Sequence, residues 1–99
     1  MRKISSQEII EIHRKRFPDD RFFSSRNMCF WYTTVYDGYK IKSGVIYFVT
    51  SDRTFDRKIA WTIRKLDEKG VSDASEFQVY TEETTALSDC YKMASNLDE

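Results

Sequence analysis

The 99-residue sequence predicts an α+β fold of order α-β-β-α-β-α, with a three-stranded mixed sheet packed against three helices. Three observations carry this expectation. A capped, amphipathic segment opens the chain. Aromatic and β-branched runs then flank Asp37-Gly38, a favoured hairpin turn. Finally, two stretches with helical apolar spacing bracket a short third run, Phe77–Tyr80. The length suits one domain, residues 1–99, and 15% aromatic content supplies a core for it.

The elements follow in order. Ser5 and Glu8 have capping-box spacing, and Ile4 and Ile9 have hydrophobic-staple spacing. Ile9, Ile10, His13 and Phe17 share one stripe, and Pro18 ends the helix by pushing residue 17 from the α region. The loop at residues 18–27 contains Phe22-Phe23, expected to plug the core edge. Met28–Tyr36 and Tyr39–Thr50 then read as a hairpin with Tyr36 opposite Tyr39. Both of its faces are apolar away from the turn, so either helices cover both or one awaits a partner. Phe55, Ile59, Thr62, Ile63 and Leu66 form the inward stripe of a second helix, with Gly70 as its C′ residue. Phe77–Tyr80 reads as a third strand, parallel to the second through a right-handed crossover. Thr81 is expected to cap a last helix with Leu87, Cys90, Ala94 and Leu97 inward.

Zero net charge hides a split. Residues 1–66 carry 14 Lys/Arg against 7 Asp/Glu, whereas residues 67–99 carry 2 against 9. The halves can pair within the chain, between two copies, or through a basic face that meets an acidic partner. Overall neutrality counts against a strong nucleic-acid binder. No run reaches the roughly 18 apolar residues of a membrane span, nor the apolar core of a secretory signal. Two cysteines make no disulfide framework, so Cys29 and Cys90 are expected to be free and buried in a cytoplasmic protein.

Catalytic patterns are sparse. One His and two distant Cys match no metal spacing, and His13 reads as a packed histidine. Gly38, Gly44 and Gly70 are isolated, so no phosphate-cradling loop is expected. With no nucleophile-elbow pattern beside the single histidine, no triad is expected either. A non-enzyme without metal or cofactor follows. Tyr32 and Tyr47 on a hairpin, followed by Arg57 on a helix, resemble the layout of GIY-YIG nucleases. The strands nevertheless read Phe30-Trp31-Tyr32 and Ile46-Tyr47-Phe48, without either tripeptide, and the family's metal-binding glutamate has no counterpart.

On the expected second helix, Arg53, Arg57 and Arg64 fall in one outward sector, with Trp61 between Arg57 and Lys65. Trp and Arg are enriched at binding hot spots. Their alternative is a tryptophan packed sideways under arginine stems. The leading expectation is a small cytoplasmic inhibitor or adaptor, of the kind phages encode as accessory proteins, that occupies a macromolecular partner through Arg53, Arg57, Trp61, Arg64 and Lys65. The alternative is single-stranded nucleic acid, with Arg14, Lys15 and Arg16 adding phosphate contacts. The partner is expected to be a protein, with no membrane, and the chain itself a monomer or homodimer.

Overall fold

The computed structural model describes residues 1–99. Its order is β1 (Arg2–Ile4), α1 (Ser6–Arg16), α2 (Ser25–Trp31), β2 (Thr34–Val35), β3 (Gly38–Lys40), β4 (Ile46–Arg53), β5 (Ile59–Asp67), β6 (Gly70–Asp73) and α3 (Glu83–Leu97). Six strands form one antiparallel sheet in the order β1-β3-β4-β5-β6, with β2 on β4 beside β3. The expected three-stranded mixed sheet is therefore corrected, and the chain begins with a strand.

The largest correction concerns residues 51–69. These form the β4–β5 hairpin, in register from Ile46↔Leu66 to Arg53↔Ile59, and not a helix. Core residues cover both faces of these central strands, so their apolar positions do not alternate cleanly. Ile63 and Leu66, on opposite faces of β5, together with exposed Phe55 and Ile59, thereby imitate a helical stripe. The β-branched and aromatic run Ile59–Ile63 favours the extended chain. Gly70, at φ 114°, closes the β5–β6 turn and caps no helix.

The second correction is register. Tyr39 pairs with Tyr47, and the turn lies at residues 41–45, where Ile41 N–H donates to Val45 O at 3.0 Å. Asp37-Gly38 has other work. The Asp37 carboxylate accepts the Ser6 N–H at 2.8 Å, tying the sheet to the start of α1. A Cβ at Gly38 would overlap the Tyr47 carbonyl and sit 2.7 Å from Phe48 Cβ, so only glycine lets β4 pass this close.

Residues 25–27, expected as loop, and 28–31, expected as strand, together form helix α2. Ser24 Oγ accepts the Asn27 N–H at 3.2 Å, and Tyr32 ends the helix in the left-handed region. The third strand shrinks to one antiparallel bridge, Trp61↔Tyr80. α1 agrees with expectation, with Ser5 Oγ accepting the Glu8 N–H at 3.2 Å. α3 also forms, although its N-cap is Glu82 without a side-chain bond, and Leu97 is exposed.

Two cores result, one on each sheet face. α3 places Ala86, Cys90 and Ala94 against Tyr47, Val49 and Ile63. α1 and the following loop place Ile9 and Phe23 against Ile4, Ile46, Phe48 and Leu66. Phe23 is the expected plug; burying it contributes about 2 to 3 kcal/mol. His13 is buried with it, edge-on to the Phe23 ring. No helix is long and apolar enough to cross a membrane.

Candidate functional site

Strand alternation decides which side chains meet. From Phe48 and Leu66 in the α1-side core, the same face continues through Thr50 and Asp52 on β4 and through Arg64 on β5. Arg64 is 7% exposed. Its Nε donates to Thr50 Oγ1 at 2.9 Å, Nη2 to Asp52 at 3.2 Å, and Nη1 to Asp73. Thr33 adds a hydroxyl bond to Asp52. A buried guanidinium is tolerated here because each nitrogen has an acceptor.

This network floors a groove of about 560 Å³ at the β4–β5 turn end of the sheet. Its walls are aromatic: Phe22 and Trp31 from one side, Phe55 from the turn, and Phe77. The Arg64 guanidinium lies 5.3 Å from the Phe22 ring and 5.4 Å from that of Phe77. Asn27, Arg53 and Gln78 complete the rim. Trp31 and Phe77 are about half exposed, and Phe55 fully so. Next to the groove, α2 has no buried residue and ends in exposed Phe30, Trp31 and Tyr32. Tyr32 carries Arg53 over its ring at 4.6 Å. Large exposed aromatics are thus gathered in one recess at one end of the domain.

Backbone strain converges on the same place. The chain has three non-glycine residues at positive φ: Tyr32 (54°), Arg57 (66°) and Gln78 (55°). Gln78 lines the groove, Tyr32 sits between its lining residues Trp31 and Thr33, and Arg57 shares the turn with Phe55. Each such conformation costs about 1 to 2 kcal/mol and persists because surrounding contacts hold it. Gln78 is held by its N–H on Thr62 Oγ1 at 2.8 Å and its side chain on the Arg53 carbonyl.

The five residues placed on one helix face do not form one patch. Arg53 and Arg64 line the groove, and Arg57 is exposed in its turn. Trp61 faces the other way, packed against the α3-side core with Nε1 donating to Tyr36 Oη at 3.2 Å. Lys65 shares that strand parity and borders an open depression of about 650 Å³ at the opposite end of the hairpin. Arg14, Lys15 and Arg16 are exposed on α1, and Arg16 borders the same depression, whose lining mixes Lys69 with Asp67 and Glu68. The nuclease-like layout is absent: Tyr32 caps α2, Tyr47 is buried on β4, and Arg57 lies in a turn. The cysteines are free, but Cys29 is exposed, correcting the expectation that both are buried. Burial pushes the Cys90 thiol up to about 12.

Trp31, Phe55 and Phe77 were not expected at a site. Reading Trp31 as strand and Phe55 as helix core hid both. The usable signal was Ser24, whose N-cap chemistry turns the following aromatic run into a short exposed helix.

No curated protein and no solved structure matches the chain. Residues 6–89 match the model of a family of unknown function, DUF7447, a span that runs from the start of α1 into α3 and includes every residue lining the groove. The chain belongs to that family.

Proposed function

We propose that this is a non-enzymatic binding protein that acts by occupying a partner protein through the aromatic groove at the β4–β5 end. The carrying observation is the coincidence of exposed Trp31, Phe55 and Phe77 with the chain's three left-handed non-glycine residues around one recess. Aromatic anchors around a desolvated centre are the usual energetic core of a protein interface. The floor also favours an apolar guest over a phosphate. All three guanidinium nitrogens of Arg64 already donate within the protein, and Asp52 and Asp73 offset its charge, which weakens its pull on an anion.

The test begins with affinity capture from the native host by the wild-type chain and by Trp31→Ala and Phe55→Ala. Both side chains are at least half exposed, so the variants should keep thermal stability close to wild type. The reading expects the purified partner to lose at least tenfold in affinity for each variant, about 1.4 kcal/mol. Unchanged affinity for a captured partner would remove the groove from the function.

A further inference from the structure

We infer that the groove takes an acidic segment of its partner, in which one bulky apolar side chain enters between Trp31, Phe55 and Phe77 while flanking carboxylates meet Arg53 and the exposed arginines of the bounding segments. This rests on the groove being a protein-docking site and adds the chemistry of the guest. The interior and the rim differ in kind. Inside, Arg64 is neutralised by Asp52 and Asp73, and the walls are aromatic, which suits an uncharged side chain. Around it, the bounding segments are basic. Residues 21–33 contain Arg21 and Arg26 and no acidic residue. The β4–β5 turn and its flank contain Arg53, Arg57 and Lys58 against Asp56, and Asp56 is engaged by Lys58 and by the Thr54 hydroxyl. The further exposed acids nearby are Glu76 beside Phe77, Asp73, which Arg64 engages, and Asp19 and Asp20 ahead of Arg21, of which Asp20 is engaged by His13 and the Phe22 N–H.

Arg21, Arg26, Arg53 and Arg57 are all exposed, and none is within ion-pair distance of a carboxylate. Arg53 lines the recess, and Arg21, Arg26 and Arg57 lie within two residues of its lining residues Phe22, Asn27 and Phe55, so a carboxylate-bearing guest would meet unpaired cations on the bounding segments. Arg53 is also pre-positioned: its guanidinium rests on the Tyr32 ring, which limits its rotamers before a guest arrives. Arg57 is presented by a strained turn fixed by the Thr54 N–H on the Lys58 carbonyl at 2.7 Å. An anchor with acidic flanks therefore gains aromatic burial and exposed ion pairs, whereas a basic flank meets like charge.

A random peptide library displayed on phage would be selected on the intact protein, with counter-selection on Trp31→Ala. Winning peptides would be synthesised with their flanking acids intact or changed to Gln, and affinity measured by fluorescence anisotropy at low and moderate salt. The inference expects a hydrophobic residue bracketed by Asp or Glu, and about fivefold weaker binding after the flank change at low salt, shrinking as salt rises. Arg53→Gln with Arg57→Gln should produce the same loss for the acidic peptide and none for its Gln form. Winners with neutral or basic flanks would overturn the acidic guest but leave the groove as a docking site. Failure to select any Trp31-dependent peptide would overturn both. Tighter binding of oligothymidylate than of any peptide, lost in Phe55→Ala, would replace a protein guest with single-stranded nucleic acid. A dimer in sedimentation that dissociates on Trp31→Ala would replace it with a second copy.

Discussion

At the scale of single residues, Arg64 and Asp20 show how this small domain holds a charge, the first inside it and the second at its surface. Arg64 holds two carboxylates and a hydroxyl, so removing it leaves Asp52 buried without its cation. Arg64→Ala should lower unfolding free energy by about 3 kcal/mol, measured by urea titration, because a broken buried pair leaves an uncompensated charge. Asp20 is the milder case. Burial raises its pKa, but hydrogen bonds from the His13 ring at 3.1 Å and from the Phe22 N–H outweigh that and bring it below the ordinary carboxylate value. Because a carboxylate only accepts, His13 Nε2 must carry the proton, leaving buried Nδ1 without a partner. A carboxyl with a depressed folded-state pKa contributes stability above its unfolded value and loses that contribution as pH falls through the lowered one. The urea midpoint should therefore drop between about pH 5 and pH 3, and Asp20→Asn should flatten the dependence. The thiols separate as cleanly. In native buffer iodoacetamide should add to exposed Cys29 alone, with Cys90 reacting only in urea, as intact mass would show.

At the scale of elements, the turns explain what the residues could not announce. A Gly38→Ala chain must move β3 away from β4, and stability should fall by about 3 kcal/mol in urea titration. Arg57→Gly should act in the opposite sense, raising stability by about 1 kcal/mol, since glycine relieves a left-handed φ at an exposed position. α1 and α3 were legible because each has one face to the sheet and one to water, and their stripes and ends show it. β4 was legible as strand only as far as Thr50 and β5 not at all, because both of their faces are buried and the alternation that marks a strand disappears. Asp37-Gly38 misled for another reason. Its glycine answers to a close approach between strands, which leaves the same two letters as a tight turn. The site inherited these errors. Arg53 and Arg64 were found for a helix that does not exist, whereas Trp31 was read on a hairpin strand and Phe55 on the inward stripe of a helix, and both stand at the surface.

At the scale of the whole molecule, one sheet separates two cores, each closed by its own helical layer, and the groove lies where the α1-side layer stops short of the β4–β5 turn. This separation predicts that changes at Trp31 or Phe55 leave the α3-side core untouched, and that Trp61→Ala does the reverse. Trp61→Ala should lower thermal stability through lost packing against Tyr36 and Tyr80, yet leave a Trp31-dependent partner bound with wild-type affinity. The outermost strands carry a further consequence. β1 is three residues long and begins Arg-Lys, and β6 has only four residues, so neither margin offers the long row of unpaired amides that strand addition requires. On the proposed docking role, recognition would run through side chains and not through a borrowed main-chain ladder. A guest of the proposed groove whose amide nitrogens are methylated would then keep its affinity.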